Sequence, residues 1–464
     1  MPTEHAGSDA EGLRRKLIGG GAWALAGKSA SLGLNFVTMA LVTRLLDVGS
    51  VGVYQLGQSV VLATALVARL GLDNTVVYLV SNAMAQGRPA RARRAVRMVL
   101  VLGACGAAAA WAALAFGGVD ALGRIAQKGS YARLPVIAAA MGVWSAAVAT
   151  QILASEAFKG FHAIREAVVY GGVVSGALTV GSFAVYGVLY GHVSLTTAAW
   201  TTSTSIGLSA IAAVVALVGR ARRLPASGAE LDHPYADVVR QSMPVLVSNV
   251  MTYLLTNVDV WIVGGFLSER DLALYATPAK LVTLIGVSFM IANQVLPPLI
   301  GELAAKNDKR LMERTLRGTA FVVGVPSMIV VLVFVLAGGP VLRLVFGPAY
   351  ESGATVLAIL CIGQAANILT GSSLFALLMT GHGLAAMWIS GSMGFLAAAA
   401  CIFAVRHWGA VGVAAAVSAV IVVQQLVTLF VARRLVGVWT HASAGAALGA
   451  LKRMLERRRN GGSI

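Results

Sequence analysis

Charge is what this chain has least of. Asp, Glu, Lys and Arg make up 12% of its 464 residues, against 58% hydrophobic residues and a mean hydropathy of +0.79. A water-soluble domain has no use for so much apolar surface, which excludes the soluble enzymes and nucleic-acid-binding folds. Acids are scarcest, 19 against 36 bases. In a soluble protein the resulting +17 would suggest nucleic acid; here it reads as loop Lys and Arg that set membrane orientation, and no nucleic-acid partner is expected. Only three cysteines occur, Cys105, Cys361 and Cys401, each inside an apolar run and without ligand spacing, so they read as small core residues. The seven histidines fall in loops, tails or the ends of apolar runs, which leaves no metal pair and no buried imidazole relay. Neither a phosphate-cradling GxxxxGK[ST] nor a Gly-x-Ser-x-Gly elbow is present. The chain is therefore expected to hold no cofactor and no metal, and to be no enzyme.

What it has in abundance is apolar runs of membrane-crossing length. Twelve windows fall at about 17–42, 50–72, 98–116, 134–156, 167–189, 196–219, 241–265, 275–299, 319–338, 352–379, 384–404 and 410–432. Arg14, Arg15 and Lys16 precede the first, which is too long for a signal h-region and is expected to stay as a span. Placing the N-terminus inside puts 26 Lys and Arg on the cytoplasmic side and seven on the other, with Lys28, Arg69 and Lys280 inside spans. Both termini are thus expected to be cytoplasmic.

The stretch LLDVGSVGVY (45–54) returns 221 positions later as FLSERDLALY (266–275). The same offset pairs Arg93 with Arg314, Gly103 with Gly324 and Gly160 with Gly381. Six spans per half make the two halves point the same way, a parallel repeat of the kind that transporters use to rock about a site. The expected fold is all-α and polytopic: twelve transmembrane helices as two six-helix bundles around a central cavity. Its divisions are a disordered cytoplasmic N-terminus (1–16), a first bundle (17–219), a cytoplasmic linker (220–240), a second bundle (241–436) and a basic tail (437–464). The tail segment 446–458 reads either as an amphipathic helix on the inner leaflet or as a solvated end.

Ionisable residues inside a span are costly unless they face water or a partner, so each is a candidate for function. Lys28 and Arg69 lie about 20 residues either side of the first turn, which puts them at one level at 1.5 Å per residue. Asp73 follows Arg69 by one helical turn, so the two can form an interfacial pair or line a cavity. Asp259 and Lys280 share a level in the second half, as a helix-locking ion pair or as part of a route. Span seven carries Asn249, Thr252, Tyr253, Thr256 and Asn257 at i, i+3, i+4, i+7, i+8, one polar face that belongs against protein or water. With Asn35 these residues complete the candidate substrate cavity. Other span amides (Asn293, Gln294, Gln364, Asn367, Gln424, Gln425) read as helix glue. Pro278, Pro297, Pro298 and Pro326 mark expected bends.

The first hairpin resembles the polysaccharide-exporter branch (oligosaccharide or O-antigen flippase-like) of the multidrug/oligosaccharidyl-lipid/polysaccharide superfamily. The resemblance rests on Arg44-Leu45-Leu46, Gly52-Val53-Tyr54, Leu70-Gly71-Leu72 and NVDVWIVGGFLSERDLALY (257–275), with Asp259 at the acidic position of that signature. Asp47-Val48-Gly49-Ser50 replaces the usual Gly-Pro-Glu turn, and Ala273 replaces a glycine. The resemblance implies a flippase for glycans on a polyprenyl (pyro)phosphate in a bacterial inner membrane, surrounded by membrane lipid and serving polymerase or chain-length machinery, with a coupling ion as an option. A cation-coupled exporter of drugs or metabolites from the same superfamily is the alternative.

Overall fold

A computed structural model describes residues 23, 26–118, 130–225, 235–289, 296, 300–304, 306, 308–443 and 445. The described residues are helical throughout, with no strand among them. In chain order the helices are α1 (26–45), α2 (Val48–Ala68), α3 (Leu72–Ala85), α4 (Pro89–Ala113), α5 (Ala138–Gly160), α6 (Ile164–Tyr190) and α7 (Leu195–Arg222). After them come α8 (Tyr235–Phe266), α9 (Glu269–Phe289), α10 (Lys309–Phe346), α11 (Ala354–Thr370), α12 (Ser373–Met379) and α13 (Gly383–Leu435).

Nine of the described helices are long and apolar enough to cross a membrane, ten with the bent pair Asp237–Leu254 and Thr256–Phe266. The 53-residue α13 breaks at Gly409, whose φ of +59° a side chain would resist, so it supplies two spans. With α1, which at 20 residues is long enough but is not among the helices that pass on hydropathy, the described residues hold twelve helical segments of membrane-crossing length, the number expected.

Two compact units divide at Asn257 and Val258. The divide falls inside span seven, at its bend, rather than in the 220–240 linker. The physical reason is that the start of α8 is held by the first unit: Thr75 and Ser242 hydroxyls meet at 2.7 Å, and Tyr253 Oη donates to the Ser59 carbonyl at 2.8 Å.

The first unit departs from the sequence reading at 73–97, taken there as a cytoplasmic loop. Residues 72–85 form α3, because Leu72, Val76, Val80 and Ala83 make one buried stripe against Met98, Leu153 and Phe158. Asp73, Asn74, Ser81 and Asn82 on the other faces had diluted its hydropathy. The chain turns from α2 into α3 through Leu70 (φ +52°) and Gly71 (φ +71°). Gly71 packs on the Ser242 backbone, where a Cβ has no room.

The repeat is visible as shared packing within each unit. A Cβ on Gly103 would strike Leu153, and one on Gly324 would meet Ile368, so each glycine seats the third span of its half on the fourth, α4 on α5 and α10 on α11. The caps repeat as well. Asp47 accepts the Ser50 N–H at the start of α2, and Ser268, 221 positions on, accepts the Asp271 N–H at the start of α9.

In the second unit, Pro278 and Pro326 both sit inside helices, and α10 loses helical geometry at Ala337 rather than at Pro326. The start of the supposed tail is packed: Val438 and Thr440 are buried, and Ala442 N–H donates to the Leu369 carbonyl at 2.9 Å. Cys361 and Cys401 are core residues as expected, whereas Cys105 lies on an exposed face of α4. The 446–458 segment, Asn293, Gln294, Pro297, Pro298 and the first 22 residues lie outside the described residues.

Candidate functional site

In the first unit, α1 packs on α6 through Gly27 against Val168, Ser31 against Gly172 and Leu34 against Gly176. Lys28 and Asn35, seven residues apart, lie on a different, exposed face, and Asn35 Nδ2 donates back to the Ser31 carbonyl at 2.9 Å. Arg69 and Asp73 meet as one expectation had it. Arg69 Nη1 is 2.7 Å from Asp73 Oδ2, with only 12% and 14% of the side chains exposed. Arg69 Nε also donates to the Ala65 carbonyl, so the guanidinium closes the end of α2 and ties it to the start of α3. Its charge is met locally. Asp73 Oδ1 is buried and takes no hydrogen bond.

The polar face of α8 is also largely self-satisfied. Thr252 donates to the Ser248 carbonyl, Thr256 to Thr252 and Tyr253 carbonyls, and Asn257 Nδ2 to the Tyr253 carbonyl at 3.0 Å. Thr252 and Thr256 are exposed, while Asn249, Tyr253 and Asn257 are half-buried. Such back-bonding lets polar side chains sit on an apolar helix without leaving unmet donors.

In the second unit, the hydrogen bond on the Asp259 carboxylate comes from the fully buried Tyr275, whose hydroxyl donates to Oδ2 at 2.7 Å. An ion pair with Lys280 had been one of the two expectations for that residue. Lys280 is half-buried in the middle of α9. Of the second-half amides, Gln425 of α13 joins two helices by accepting from Thr370 of α11 at 3.3 Å, whereas Asn367 donates to Gln364 within α11 at 3.3 Å.

Several buried polar groups escaped the sequence reading. Gln151 Nε2 lies 2.8 Å from the Tyr170 carbonyl, 2.9 Å from Ser175 Oγ and 3.0 Å from Ser209 Oγ, knotting α5, α6 and α7. Tyr54 meets Thr202 at 2.8 Å. Tyr54 and Tyr275 are 221 apart, so the repeat itself was the signal that could have found them.

Outside the spans, Asp47 and His441 are among the titrating groups held away from their ordinary values. For Asp47, partial burial pushes the carboxyl up, but the Ser50 hydrogen bonds and the Arg133 charge outweigh it, and the net shift is downward. For His441, burial and then the Arg317 charge push the imidazole down; Arg317 Nη2 sits 3.0 Å from Nε2. Among the described residues no group of three His, Cys, Asp or Glu could hold a metal ion.

This arrangement of helices recurs in solved structures. An inward-facing multidrug resistance MATE family transporter of the MOP superfamily matches with a TM-score of 0.72 at 14% identity, over 87% of this chain and 94% of that one. A mutant MATE transporter of Vibrio cholerae matches at 0.62 and 14% identity, over 92% and 98%. A MOP superfamily transporter from Pyrococcus furiosus, described by the reverse polarity of its binding pocket, matches at 0.58 and 13% identity, over 90% and 95%. The fold is therefore that of the MOP superfamily transporters, a multi-pass membrane architecture. Among curated proteins no sequence matches the chain. The family model of polysaccharide biosynthesis proteins matches residues 17–304, and the chain belongs to that family.

Proposed function

We propose that the chain is a flippase carrying a polyprenyl-(pyro)phosphate-linked glycan across the bacterial inner membrane by alternating access, for cell-surface polysaccharide assembly. The observation that carries this reading is membership of a polysaccharide biosynthesis family by a chain with a transporter fold. The orientation has both termini in the cytoplasm, after the 26-to-7 distribution of Lys and Arg. Lys28, on an exposed face of α1, is a span cation that would meet a phosphate, while Arg69 is engaged by Asp73. With the inside negative, each negative charge moved outward gains about 2.3 kcal/mol per 100 mV, so the potential would help expel an anionic headgroup. A glycan polymerase or chain-length partner would take the product from the outer face.

Deleting the gene is expected to deplete a surface glycan and accumulate its lipid-linked precursor; unchanged glycans would sink the reading. In proteoliposomes, Lys28→Ala is expected to slow precursor translocation about tenfold or more, the loss of one charge-assisted contact. A wild-type rate would remove Lys28 from the route.

The likeness to multidrug MATE transporters favours one second reading, a cation-coupled exporter of drugs or metabolites, with Asp259 as its coupling acid. Drug efflux abolished by Asp259→Asn, with surface glycans intact, would decide for it.

A further inference from the structure

A pocket of about 690 Å³ lies between the start of α4 and the end of α7, wholly within the first unit. Its lining is divided by chemistry. Arg93, Arg94, Arg97 and Arg222 stand at one end, and Leu100, Val101, Ala104 and Val218 form the wall beyond them. From Arg97 to Ala104 along α4 is seven residues, or about 10 Å of rise, so the charged end and the apolar wall stack along the helix axis. Among the described residues no acid lines the pocket, and none occupies the first turn of α4.

Bases gathered there are electrostatically awkward. They repel one another, and Arg93 and Arg94 lie close to the positive N-terminal end of α4, where an anion is favoured. Arg93 is held in place by donating to the Leu224 carbonyl at 2.9 Å, which leaves further guanidinium donors. Arg97 and Arg222 are exposed. Bases needed only for orientation would spread into solvent and require no pocket. A phosphate would draw these four together, and the wall above would take the chain attached to it.

We infer that this pocket binds an anionic phospholipid of the cytoplasmic leaflet, its phosphate among Arg93, Arg94, Arg97 and Arg222 and an acyl chain along Leu100, Val101, Ala104 and Val218. The leaflet follows from the orientation proposed above; the site itself is separate from the translocation candidates. Its lining lies within one unit and shares no residue with those candidates, which suits a resident membrane lipid rather than a transported one.

The test uses the full-length protein in mild detergent, titrated with dioleoyl phosphatidylglycerol or dioleoyl phosphatidylcholine and followed by native mass spectrometry. Wild type is expected to retain phosphatidylglycerol, and Arg97→Gln with Arg222→Gln to weaken retention about tenfold or more, at roughly one kcal/mol per base. Ala104→Trp, which fills the wall without removing charge, is expected to release the lipid too, and helical content by circular dichroism checks that each variant folds. Equal retention by wild type and both variants would overturn the site, as would no preference over phosphatidylcholine. Displacement of phosphatidylglycerol by equimolar polyprenyl phosphate would overturn the occupant assigned here. Glycan translocation, read separately, distinguishes loss of this site from failure of the flippase reading.

Discussion

At the scale of single residues, the decisive contact is between Arg69 and Asp73. Buried ions that satisfy each other are tolerable, but removing one partner strands the other in a poor solvent. Asp73→Ala is therefore expected to cost about 3 kcal/mol, read as a fall in unfolding midpoint in detergent. Replacing both residues by Met is expected to recover most of that loss. If the double variant recovers stability yet loses transport, the pair has a role in the route beyond joining α2 to α3. The sequence paired these two residues as neighbours one helical turn apart; they do pair, but across a left-handed turn at Leu70 and Gly71 that separates two helices.

His441 gives a second residue-scale prediction, in pH. Its folded-state pKa lies below the ordinary value of 6.5 because burial and Arg317 disfavour the imidazolium. The unfolded chain therefore takes up a proton first, so the contribution to stability is complete above 6.5 and declines as pH falls through 6.5 toward the folded value. His441→Gln is expected to flatten that part of the stability profile, measured by thermal unfolding between about pH 7.5 and 5. An unchanged slope would show that the Arg317 contact does not govern titration there.

At the scale of elements, the repeat predicts paired effects. Asp47 and Ser268 cap the second helix of each half by the same hydrogen bond, so Asp47→Ala and Ser268→Ala are each expected to destabilise by about 1 kcal/mol. Substituting Asn at either position is expected to restore most of it. Effects differing by several-fold would mean that the two hairpins, alike in sequence, are not alike in folding. The element that sequence reading missed was α3. A hydropathy window averages all faces of a helix, and α3 buries a single stripe while Asp73, Asn74, Ser81 and Asn82 lower its mean. The polar stripe on α8 was legible in spacing, but its back-bonding to Ser248, Thr252 and Tyr253 was not, because spacing does not choose rotamers.

At the scale of the whole molecule, orientation is the property most open to test. Cysteines introduced at Ser194 and Ser268, in turns assigned to the outer side, are expected to react with a membrane-impermeant maleimide added to intact cells. A cysteine at His162, between α5 and α6, is expected to react only after permeabilisation. The background uses Cys105→Ala, since Cys105 is the exposed native thiol among the three. Reaction in the reverse pattern would invert the topology, and with it the leaflet of the arginine pocket.

The sequence by itself determined the membrane class, the twelve spans, their duplication and the family resemblance, because these depend on the amount and period of apolar character along the chain. It also paired Arg69 with Asp73 from their spacing of four, although the contact forms across the turn at Leu70 and Gly71 rather than along one helix. What only tertiary structure decided were the contacts between residues distant in sequence: Tyr275 on Asp259, Gln151 among three helices, the start of α8 held by Thr75 and Ser59, and Arg222 brought to Arg93, Arg94 and Arg97. In a bundle of helices joined by short loops, hydropathy fixes how often the chain crosses, but close packing at small residues fixes which faces meet.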